Sequence, residues 1–124
     1  IIIICHYISL SNKDIVLCLV LLWVSQLAVW FQLNGQFIWK WFEKNPLLLS
    51  LAGVPIGYGF ILATKYGYSG FDGELWPQRL LGFALGIMSF AFCTYWFLGE
   101  GLSSKTFVSL VLAMGLVLIQ IFWK

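Results

Sequence analysis

The sequence predicts an all-α membrane protein, a four-transmembrane-helix bundle with a tight hairpin between the third and fourth helices. Three observations lead there. Apolar residues make up 61% of the 124-residue chain and charged residues 10%, against about 45–50% and about 25% in ordinary soluble domains. The charges fall so that four long stretches contain no Asp, Glu, Lys, Arg or His. Those stretches are continuously apolar rather than alternating, which excludes membrane β-strands. A disordered chain and an ordinary soluble enzyme are excluded by the same composition. No nucleic-acid partner is expected, because the net charge is only +2 and the seven basic residues are scattered.

The first span is Asp14 to Lys40, with 25 uncharged residues between them. We place helix 1 at about 15–33. It contains twelve Leu, Ile, Val or Phe residues, contributing about −4 to −7 kcal/mol toward insertion, whereas one central charge costs about 2.5–3.5. The segment 1–14 is too short to cross alone and reads either as an interfacial piece or as an extension of helix 1. It has no basic n-region or small-residue cleavage site of the secretory kind. Asn34-Gly35 marks the end of helix 1. Phe37, Trp39, Trp41 and Phe42 then alternate with Lys40, Glu43 and Lys44 as an interfacial aromatic belt.

Helix 2 is expected at about 46–64, opened by Pro46 and followed by Lys65. Pro55 removes a backbone donor near its middle and predicts a kink. The loop from Lys65 to Gln78 is read as the longest, with three glycines and the acids Asp72 and Glu74. Helix 3 is placed at about 79–98 and helix 4 at about 105–123, joined by the short Gly99-Glu100-Gly101 turn, with Ser103 or Ser104 as the helix 4 cap. The chain is read as a single integral, multi-pass membrane domain over 1–124, with the lipid bilayer as its first partner. If the termini share a side, Lys13, Lys65, Arg79 and Lys124 face Lys40, Lys44 and Lys105. Four against three leaves the orientation open and permits dual insertion.

Small residues supply the next signal. Gly82, Gly86, Ser89 and Cys93 form one stripe on helix 3, and Gly53 and Gly57 repeat the device on helix 2; Ser109 and Ala113 offer it on helix 4. Close backbone approach matters in lipid, where no hydrophobic drive joins helices. Packing within the bundle is the commoner cause of such stripes, and a dimer face or a thin-walled cavity is the functional alternative. A homodimer or a larger membrane complex is therefore expected.

Candidate binding residues lie on helices 1 and 2. Trp23, Gln26 and Trp30 recur at spacings of three and four. Two indoles beside a mid-membrane amide suit a flat or cationic organic ligand; the blander reading is that Gln26 bonds a neighbouring helix and the indoles pack. Tyr58 is weighed in the same way. No charged residue lies inside any span, so proton coupling would need Asp14, Glu100 or a group from a partner. His6 has no companion at ligand spacing, and no metal or other cofactor is expected. Cys5, Cys18 and Cys93 read as apolar free thiols. No nucleophile–base set or phosphate loop is present, and we expect no enzyme.

The run from Arg79 to Phe90, followed by Phe97-Leu98-Gly99-Glu100-Gly101-Leu102-Ser103-Ser104-Lys105 and an apolar helix with Gly115, resembles helices 3 and 4 of small four-helix drug/metabolite transporters. These include the small multidrug resistance proteins, in which an F-x-G-E-x-L-S-x-K turn joins the last two helices. Val54-Pro55-Ile56-Gly57-Tyr58-Gly59 is similar to part of their second helix. The likeness covers about 45 residues and implies antiparallel or dual-topology dimers around a substrate chamber. Those transporters carry a glutamate in helix 1 where this chain offers Ser25 and Gln26. On this reading the protein moves a small organic solute by alternating access. A non-catalytic accessory subunit packed on a larger membrane complex is the alternative.

Overall fold

The computed structural model describes residues 1–123, with side chains described except at 3–11 and 121. Cys5 and His6 thus lie outside the described side chains, and Lys124 outside the described residues. The elements are α1 (Ile2–Asn34), a 3-10 turn (Gly35–Phe37), α2 (Lys40–Lys44), α3 (Pro46–Ser50), α4 (Gly53–Gly70), α5 (Trp76–Leu98) and α6 (Ser104–Phe122). The described residues form no strands. Asn12–Phe37, Pro46–Gly70 and Trp76–Leu98 are long and apolar enough to cross a membrane, and Ser104–Gln120 is a shorter apolar helix.

Helix α1 is continuous from Ile2, so the N-terminal segment extends helix 1. It stops at Asn34, and the chain passes Gly35 in right-handed helical geometry, φ −59°. This glycine is needed for space: a Cβ there would run into the Phe42 ring.

Pro55 breaks the second hydrophobic segment close to its start rather than in its middle. Having no N–H, it leaves the Leu51 carbonyl without its i+4 donor. The backbone tightens in response: Leu51, Ala52 and Val54 donate to Leu48, Leu49 and Leu51, each three residues back. The result is the interruption at Leu51–Ala52 between α3 and α4. Helix α1 braces this break, for Gln32 Nε2 donates to the Leu49 carbonyl at 2.9 Å as a second donor beside Ala52 N.

Helix α4 runs past Lys65 to Gly70, leaving a short connection where the sequence suggested a long loop. Lys65, five residues before the end of α4, stays exposed, as a long cationic side chain can by carrying its charge along its apolar stem to the surface. The last two turns are held by close packing on α1. A Cβ at Gly67 would lie 2.9 Å from Cys18 Sγ, and one at Gly70 would lie 2.7 Å from Ile15. The chain then reverses through Asp72 and Gly73, both at positive φ, a backbone state that Asp tolerates and Gly adopts freely.

The core sits where α1, α4 and α5 meet. Cys18, Leu22 and Ala63 are buried there, with Leu21, Phe60, Tyr66, Leu81 and Leu85 packed around them. Helix α6 folds back along α5, burying Ala113 and Val117. Two features shape this hairpin. Gly99 closes α5 in the left-handed conformation, φ +71°. Ser103 caps α6, its hydroxyl accepting from Thr106 N at 3.3 Å.

Candidate functional site

Helix α5 meets α1 through the stripe anticipated from its small residues. Gly82 faces Leu22: a Cβ there would lie 3.4 Å from a Leu22 methyl. At Gly86 it would lie 3.0 Å from the Gln26 amide. Ser89 and Cys93 continue the stripe and are buried. The corresponding stripe on α4 is Gly59, Ala63, Gly67 and Gly70. A Cβ at Gly59 would approach Ser25 Oγ to 2.5 Å, whereas at Gly57 nothing lies within 4 Å; Gly53 is near only Gln32.

Because Gly82 and Gly86 lack side chains, Gln26 can lie against the α5 backbone. Its Nε2 donates to the Gly82 carbonyl at 3.0 Å. Its Oε1 makes no hydrogen bond to a described residue. The amide forms part of the wall of an open groove of about 580 Å³, together with Arg79, Phe83, Ile87, Phe90 and the two glycines. Trp76 stands at the end of this groove beside Arg79.

The other sequence-level candidates are dispersed. Trp30 is buried, and its Nε1 donates to Thr94 Oγ1 on α5 at 3.0 Å. Its ring also sits 5.6 Å from Phe97, within an aromatic cluster that includes Phe31 and Trp39. Trp23 is 43% exposed and Tyr58 63% exposed, and neither lines the Gln26 groove. Trp30 thus joins Gln26 on the α5-facing side of α1 but is occupied by its own bond, and Tyr58 is exposed on α4 outside the groove.

Three polar residues of the helix contacts were not singled out from the sequence. Thr94 receives Trp30, Gln32 serves the α3–α4 break, and Gln78 packs beneath Gly67 and donates to Thr64 Oγ1 at 3.5 Å. A polar residue in an otherwise apolar span is the signal that finds Thr94 and Gln32; Gln78, between Pro77 and Arg79 at the end of the expected loop, carries no such mark. Ser89 Oγ is buried without a hydrogen-bond partner among the described residues. Cys18 and Cys93 are buried and free.

A second cavity of about 580 Å³ lies between α5 and α6, bounded by apolar residues including Met88, Phe107, Val111 and Met114. Among the described residues no group of three His, Cys, Asp or Glu side chains is placed to hold a metal ion. No protein-family model, curated protein or solved structure matches the chain.

Proposed function

We propose that the protein is a four-span membrane transporter of the drug/metabolite type, moving a small organic solute by alternating access as a dimer. The observation that carries this reading is the half-used amide of Gln26. Its donor side is committed to Gly82, and its acceptor side is left for a ligand in the groove. An amide oxygen in hydrocarbon without a donor is costly, so a hydroxyl or N–H on a solute gains a bond there. The groove is open along one side, and a second copy would close it. In this account α6 is the fourth span: its 19 residues rise about 28 Å at about 1.5 Å each, against a hydrocarbon core of about 30 Å. The sequence resemblance of the α5–α6 hairpin to four-helix transporters supports the same reading.

The test is uptake of three radiolabelled small organic solutes (one neutral, one cationic, one anionic) into liposomes carrying the wild type or Gln26→Ala. Uptake of at least one solute above protein-free vesicles, reduced in the variant, is expected. Absence of uptake for all three, or identical rates for both proteins, overturns the proposal.

One observation favours a second reading, the accessory subunit of a larger complex. Helix α6 packs chiefly against α5, with Phe107, Leu112, Ile119 and Phe122 exposed. Extraction in mild detergent as a stoichiometric hetero-complex supports it, and a stable homodimer removes it.

A further inference from the structure

We infer that the Gln26 groove seats an anionic phospholipid, one acyl chain lying along α5 and the phosphate at Arg79. This inference uses the same groove as the proposed function but does not require transport. Leu80, Phe83, Ile87 and Phe90 give the groove its apolar length, and Arg79 with Trp76 stands at one end. From Arg79 to Phe90 is eleven residues of helix, about 16 Å at about 1.5 Å per residue. One leaflet of hydrocarbon, half of a core of about 30 Å, is about 15 Å deep. The groove therefore matches a lipid chain in length while its cationic end lies at headgroup level.

Among the described residues no acid is paired with the charge at that end, although the exposed Glu74 lies two residues before α5. Helix α5 has no acid in its first turn, and Arg79 has no ion-pair partner among the described residues. Both its exposure and that of Trp76 leave them facing outward. A guanidinium pairs with phosphate through two parallel N–H donors, and an interfacial indole sits at the same level. The neighbouring basic residue Lys65 is exposed but does not line the groove.

Native mass spectrometry of the full chain in detergent tests this, with phosphatidylglycerol and phosphatidylcholine of equal chain length as probes. Wild type is expected to retain one phosphatidylglycerol in preference to phosphatidylcholine. Arg79→Gln should lower that preference by about fivefold, the value of one basic residue near an anionic lipid, and Lys65→Gln should leave it intact. Phe83→Ala, which shortens the apolar wall without touching the charge, should weaken both lipids alike. Equal retention of the two lipids by wild type overturns the inference, as does equal loss with Arg79→Gln and Lys65→Gln. Uptake in vesicles of phosphatidylcholine alone reads transport separately: a protein that transports there yet shows no lipid preference keeps the proposed function and loses this site.

Discussion

Gln26 on α1 donates to the carbonyl of Gly82 on α5 across 3.0 Å, a contact possible because Gly82 and Gly86 present backbone where other residues present side chains. One amide thereby ties two helices, and in the proposed function its oxygen serves a ligand. Gln26→Leu removes both uses at once. It should cost about 0.6 kcal/mol of bundle stability and no more than about 1.7, the average and the maximum of measured interhelical hydrogen bonds in membranes, as read by unfolding in mixed micelles. Gly86→Leu should cost more, since even a Cβ there meets the amide at 3.0 Å.

The two glycine positions of α4 separate packing from mere helix composition. Gly67→Ala places a methyl 2.9 Å from Cys18 Sγ and against the Gln78 stem, and should destabilise by about 1–3 kcal/mol. Gly57→Ala meets open space and should be neutral or stabilising by up to about 1 kcal/mol through helix propensity. Thermal unfolding of the two variants in one detergent checks the contrast.

Trp30 and Thr94 form a buried pair, Nε1 to Oγ1 at 3.0 Å. Trp30→Phe and Thr94→Val should each destabilise, and the double variant should lose less than the sum. A coupling of about 0.5–3 kcal/mol is the expected result of the cycle. Additive losses would mean that the indole contributes by packing alone.

Ser89 offers the opposite sign. Its hydroxyl is buried without a partner among the described residues, a state that costs about 1–3 kcal/mol. Ser89→Ala should therefore hold or raise stability in the same unfolding assay, while Ser89→Leu should lower it by crowding α1.

The apolar helices were legible because length and lack of charge mark them, three of them long enough to cross a membrane and the fourth shorter, and Asn34-Gly35 marked the end of α1. The extent of α4 was not, because Lys65 looked like a terminus; nothing local records that Gly67 and Gly70 would dock on Cys18 and Ile15. Pro55 announced a defect, yet its effect falls on the carbonyl four residues earlier, which moved the break to Leu51–Ala52. Likewise several registers of small residues exist on helix 2. Choosing Gly59 over Gly57 requires knowing which side meets α1. At the candidate site, Gln26 stood out as a lone mid-span amide, but its partner Gly82 is 56 residues away, and Thr94 gains its role only once α5 packs on α1.

At the interruption of the second hydrophobic segment, Gln32 and Pro55 should be coupled through the backbone. Gln32→Leu removes the donor to Leu49 and should cost about 1 kcal/mol. In a Pro55→Ala background a regular helix can form, and the same substitution should cost less. Circular dichroism and unfolding of the four proteins in detergent give the comparison.

The account depends most on four crossings of the bilayer. Its direct measurement uses a chain with native cysteines replaced by alanine and carrying Ser103→Cys with Trp123→Cys, labelled in sealed cells by an impermeant maleimide and weighed intact. If α6 crosses, the two positions lie on opposite sides, and every labelled molecule carries one adduct whichever way it is inserted. Molecules carrying two adducts or none would place both ends of α6 on the same side and contradict the account.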